Sequence, residues 1–121
     1  MRNAKILLIV ICAMIFVFAC AGKKKPRGLS VQESIRVEAS LFRQNCVVCH
    51  GAEAEGKELE ARNIPSLREG DVTQKDDSYL YNQISNGGNG MPPFKYQFTE
   101  NQTKNMVNFL RELQRSEAKS K

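Results

Sequence analysis

A chain of 121 residues has room for one domain. Its net charge of +5 misleads about partners, because the twelve basic and thirteen acidic residues from Leu29 onward nearly cancel, which excludes a nucleic-acid surface. The absence of tryptophan and an aromatic content of only 7% exclude a domain held by a large apolar core alone; small domains of this kind compensate with disulfides, a metal or a cofactor.

Met1 to Lys5 form a short basic head, and residues 6–19, ILLIVICAMIFVFA, are apolar without interruption. This is the pattern of an export signal. The run is shorter than the roughly 20 apolar residues of a membrane-spanning helix. It ends in VFAC, residues 17–20, which resembles a bacterial lipoprotein signal. The resemblance implies cleavage before Cys20 and a lipid on that cysteine; the alternative is an uncleaved membrane anchor. Lys23, Lys24, Lys25 and Arg27 follow the apolar run, and by the positive-inside rule they would hold the rest of the chain in the cytoplasm. The chemistry of the remaining cysteines requires export and overrides that rule. Residues 20–29 read as a linker whose basic cluster is either a solvated spacer or a contact for anionic lipid head groups.

From Ser30 the pattern is helical. Ser30 and Glu33 have the spacing of a capping box, so a first helix is expected to start there. Val31, Ile35, Ala39, Phe42 and Cys46 then form one buried stripe. A second helix is predicted over residues 75–85, with Leu80 and Ile84 one turn apart and Asn86-Gly87 as its stop. Thr99 and Gln102 form another capping box before a last helix with Met106, Leu110 and Leu113 on one face and Val107 and Phe109 beside them. Strand signals are absent, so the fold class is all-α, with three or more helices and long loops. The segment Gly51 to Gln74 is too long to be a casual connection in so small a domain. Its charged part, residues 52–62, reads as solvated.

Cys46 and Cys49 lie in CVVCH, residues 46–50. C-x-x-C-H is the attachment signature for a c-type haem. Two cysteines three residues apart share one side of a helical turn, so each sulfur can form a thioether with one vinyl group of the porphyrin. The next residue, His50, is then aimed at the iron as proximal ligand. A zinc site would need four ligands, and outside the anchor region only these two cysteines and one histidine exist. A thioredoxin-like pair belongs beside a βαβ pattern, which is missing here. A disulfide across two residues would leave the histidine unexplained. Covalent attachment of this kind takes place outside the cytoplasm.

His50 is the only histidine in the chain, so ligation by two histidines is impossible. The sixth position is open or taken by another side chain. NGGNGMPPF, residues 86–94, offers one. Pro92 pushes Met91 into an extended conformation. Pro92 and Pro93 lack amide hydrogens that would need partners. The glycines allow the backbone to approach a flat macrocycle, and Phe94 is placed to pack at its edge. Met106 competes as a thioether, but it sits on the apolar stripe of the last helix, where packing accounts for it. Lys95 and Tyr96 are weaker alternatives.

CVVCH, the Pro-x-Leu element at Pro65 to Leu67, the GxGMPPF loop and the final amphipathic helix together resemble a class I cytochrome c of the short bacterial monohaem kind, over roughly Val31 to Leu113. The resemblance implies one covalent haem c ligated by His50 and Met91, a crossing of first and last helices near Phe42 and Phe109, and a Pro65 carbonyl that accepts a hydrogen bond from His50. It divides the chain into a signal at 1–19, a lipidated linker at 20–29 and a cytochrome domain at 30–121. It implies a monomeric one-electron carrier rather than an enzyme, held to a membrane of the cell envelope and facing the periplasm or the exterior. The partners would be membrane-bound redox complexes or other carriers in a respiratory chain, and nucleic acid has no part. The alternative from another class is a haem sensor or small-ligand module with a labile sixth ligand. A third is a fixed subunit of an oxidase or reductase.

Overall fold

The computed structural model describes residues 28–59 and 62–120; the signal, Cys20 and most of the linker lie outside them. The described chain runs through α1 (Val37–Asn45), α2 (Val47–His50), β1 (Lys57–Leu59), β2 (Arg62–Ile64), a 3-10 turn (Asp71–Gln74), α3 (Asp77–Asn86) and α4 (Glu100–Ala118). Helices α1 and α3 both pack on α4, whose Met106, Val107, Phe109, Leu110 and Leu113 are buried. Phe42 of α1 and Phe109 of α4 are both fully buried where these helices meet the common core.

The caps of the later helices form as their sequences dictate. The Asp76 side chain accepts from the Tyr79 amide at 2.7 Å and opens α3. Gly87 closes it at φ 71°, ψ −158°. The Thr99 hydroxyl accepts from the Gln102 amide at 3.2 Å, and the Gln102 side chain accepts from the Thr99 amide at 2.8 Å. Both halves of the capping box are therefore present, and two amides that would otherwise be orphaned at the start of α4 are satisfied.

Two expectations fail, each because of a distant partner or a weak local pattern. The first helix does not begin at Ser30. It begins at Val37 behind Arg36, which offers no side-chain cap. The Ser30 hydroxyl accepts from the Glu33 amide, but the segment then forms a turn. Glu53, far along the chain, holds the segment: it accepts from the Ser30 hydroxyl at 2.7 Å, the Val31 amide at 2.6 Å and the Gln32 amide at 3.2 Å. Arg43 donates to the Val31 and Ser34 carbonyls, removing them as helix acceptors. Val31 is still buried, but Ile35 falls off the stripe and is fully exposed.

The second failure is the all-α class. The chain forms several helices with a small antiparallel hairpin, Lys57 opposite Ile64 and Leu59 opposite Arg62. Strands of three residues are too short to show an alternating pattern, and most of their side chains are exposed. The segment around them is also not wholly solvated. Ala54 is fully buried, and Glu53 is paired with Arg68, whose side chain is only 3% exposed.

Candidate haem site

Cys46 stands at the junction of α1 and α2, serving as the C-cap of one and the N-cap of the other. Its amide donates to the Phe42 carbonyl at 2.8 Å, so the longer helix fixes the position of the motif. The amides of Cys49 and His50 donate back to the Cys46 carbonyl at 3.2 and 2.9 Å. One turn thus carries both thiols and the imidazole. After it, Gly51 reverses the chain at φ 83°, and the Gly56 amide returns to the His50 carbonyl at 2.9 Å.

The opposite wall is a closed loop. The carbonyls of Ile84 and Ser85, left without helical partners at the end of α3, accept from the amides of Phe94 and Lys95 at 3.0 and 3.1 Å. These are the first amides after Pro92 and Pro93. Between those anchors, Gly88 and Met91 exchange both backbone hydrogen bonds, at 2.9 and 3.0 Å. Gly87 lies so close to this pair that a Cβ there would overlap the Met91 carbonyl oxygen. That glycine is needed for the loop's own closure, a role beyond the approach to a macrocycle that its sequence context suggests. The loop holds Met91 half-buried against the core and Phe94 fully inside it.

Between the two walls lies a small apolar cavity of about 30 Å³. Cys46, His50, Leu67, Met91, Phe94 and Met106 are among its lining residues. Imidazole and thioether, 41 residues apart in sequence, therefore face one space. Cys49 is exposed and lies one helical turn from Cys46. Pro65 does not line the cavity. The expected bond from His50 to the Pro65 carbonyl is not formed; Nδ1 of His50 is buried with no hydrogen-bond partner among the described residues. The short Pro65 to Leu67 segment is held elsewhere, with the Leu67 amide on the Ala54 carbonyl at 2.9 Å and the Pro65 backbone seated over Gly56.

Burial sets the protonation of the donors. It pushes the Cys46 thiol up to about 12, helped by the neighbouring Cys49, so the sulfur is a neutral thiol at neutral pH. It lowers the His50 imidazole below its ordinary value, so the ring is neutral and keeps a lone pair to donate. A neutral nitrogen ligand, a soft sulfur on the facing wall, two thiols within one turn and an apolar lining fit a covalently bound haem.

A family model described as cytochrome c oxidase, cbb3-type, subunit III matches residues 33–110. The chain belongs to this family of c-type cytochromes. A solved structure described as KustC0563 c-type cytochrome shares its fold, at a TM-score of 0.50 and 23% identity over 61% of this chain and 93% of that one. Among curated proteins none matches. Family membership implies covalent haem c and electron transfer, and export to the envelope is the general condition of such cytochromes.

Sequence reasoning about this cytochrome passed over several residues that build the site. Phe98 and Leu110 line the cavity, and Phe98 stacks on Phe94 with ring centroids 5.2 Å apart. The helical spacing of Leu110 pointed to burial but not to the cavity. Gln83 donates to the Gly88 carbonyl at 3.1 Å and lies 3.9 Å from Met91 Sδ. Nothing in its sequence context distinguishes it from a solvated helix residue.

Proposed function

We propose that this chain is a monohaem, class I, one-electron carrier whose iron is held by His50 and Met91, with Cys46 and Cys49 as the covalent attachment points. The observation that carries the reading is that His50 and Met91 both line one apolar cavity. The haem supplies a one-electron couple when bound. His50, neutral through burial, would hold the iron through its imidazole. Met91 would present a soft sulfur to it, which favours the reduced metal. The cavity wall of Leu67, Phe94, Phe98 and Leu110 excludes water and so disfavours the more highly charged oxidised state. With His50 and Met91 both on the iron no position would be left for a substrate, and the protein would act as a carrier rather than an enzyme.

The membrane reading rests on VFAC and Cys20. A lipid on Cys20 would keep the domain within about 35 Å of the membrane along residues 20–30. Partners are then membrane-bound redox complexes or carriers that visit the surface. The match to a family described as an oxidase subunit favours a second arrangement, a fixed place in a terminal oxidase rather than free shuttling. Co-purification with such a complex in mild detergent distinguishes the two.

The test of the site is an optical spectrum of the exported holoprotein, oxidised and reduced. A c-type reduced spectrum with a weak far-red band in the oxidised form is expected, and Met91→Ala should abolish that band. A native protein without the band that binds carbon monoxide tightly would overturn the carrier reading in favour of a sensor. For the anchor, Cys20→Ser should leave haem attached and release the protein from membranes; retention at the membrane would count against lipidation.

A further inference from the structure

The end of α3 carries an amide that reaches both ends of the methionine loop. Gln83 Nε2 lies 3.1 Å from the Gly88 carbonyl oxygen and 3.9 Å from Met91 Sδ. A side-chain amide nitrogen bears two hydrogens. One serves the carbonyl, and the other faces the sulfur. Gly88 and Met91 are themselves joined by two backbone bonds, so this one side chain grips the pair at its entry and at its functional tip. Capping the loop would require only the first contact. The second is made to the atom that the proposed function assigns to iron.

We propose that Gln83 is a positioning residue for Met91, holding the thioether on the cavity side and withdrawing electron density from its sulfur. The inference rests on the reading of Met91 as sixth ligand. A thioether has two lone pairs, so a sulfur that gives one to a metal retains one to accept a hydrogen bond. The acceptor is weak, but partners of a metal ligand set its orientation and its donor strength. A sulfur that accepts from Gln83 gives less to the metal. This disfavours the oxidised state, which needs the donation more, and the reduction potential rises. Loss of the contact lowers the potential.

The test uses full-length holoprotein as wild type, Gln83→Glu and Gln83→Leu. Glutamate keeps the shape of glutamine but at neutral pH has no hydrogen to give; leucine removes the donor without adding charge. The far-red band, which reports the sulfur-to-iron bond, should shift in position in both variants. The potential of Gln83→Leu should fall while its far-red band is retained. A far-red band at the wild-type position in both variants, or an unchanged potential in Gln83→Leu, would overturn the proposal. Should neither variant fold, the NMR spectrum of the reduced wild type decides. Contacts between the Gln83 amide hydrogens and the Met91 ε-methyl are expected, and their absence refutes the role. A wild type that shows no far-red band at all removes the Met91 reading itself, a failure distinct from that of Gln83.

Discussion

Substituting alanine for Gly87 measures how tightly the methionine loop is closed. Gly87 sits at φ 71°, ψ −158°, a region that residues with a Cβ enter only at a cost of about 1–3 kcal/mol. Its new Cβ would overlap the Met91 carbonyl oxygen and stand 2.8 Å from the Pro92 carbonyl carbon and 2.9 Å from the Pro93 nitrogen. All three are backbone atoms, so no side-chain rotation relieves the clash. The loop must open its Gly88–Met91 pair, two bonds worth about 1 kcal/mol each. The total is about 3–5 kcal/mol. Gly70 supplies the control: its φ 80° and ψ −157° are nearly the same, yet a Cβ there meets nothing within 4 Å. Gly70→Ala should therefore incur the backbone cost alone and leave the far-red band intact. Gly87→Ala should be less stable than Gly70→Ala by roughly 2 kcal/mol and should weaken the band. Urea unfolding of the two oxidised holoproteins, followed by circular dichroism and by the band, makes the comparison. Equal midpoints with an unchanged band in Gly87→Ala would refute the closed-loop account.

Arg68→Met removes the guanidinium that Glu53 accepts from at 3.1 Å and that donates to the Leu29 carbonyl at 2.7 Å. With both charged side chains largely buried, the stranded carboxylate should lower stability by about 3 kcal/mol, measurable by urea unfolding; a loss below about 1 kcal/mol would mean that the pair behaves as a surface contact. Asp76 gives a pH test. The Tyr79 backbone amide, and then the Ser78 hydroxyl, hold its carboxyl below the ordinary value. Its contribution is complete above the unfolded carboxyl value and is lost as pH falls through the lowered folded one. Asp76→Asn should keep the cap and flatten the acid side of the stability profile, and an unaltered profile would rule that contribution out.

Much of the site was legible because its signals are local. The caps at Asp76 and Thr99 involve residues three apart, and their amides lie within reach whatever the rest of the chain does. CVVCH occupies one turn, so the relation between its thiols and imidazole is set by helix geometry. A single histidine restricts the axial chemistry by count alone. Pro92 and Pro93 announce an irregular, constrained loop.

Other features depended on groups brought together from far along the chain. The helix that Ser30 and Glu33 would start does not form; Arg43 occupies the Val31 and Ser34 carbonyls from a distance, and the stripe through Ile35 is lost with it. The hairpin at Lys57 to Ile64 has too few residues for a period. The His50 imidazole makes no hydrogen bond to the Pro65 carbonyl, although the family pattern pairs them. Gln83 reaches the sulfur only because α3 stops at Gly87 and the chain folds back to the carbonyls of Ile84 and Ser85. The sequence by itself determined the donor atoms and the turns that carry them, since those follow from spacing within a few residues. Only the tertiary structure decided which donors face one cavity and which polar groups hold a distant segment, because those contacts join residues tens of positions apart.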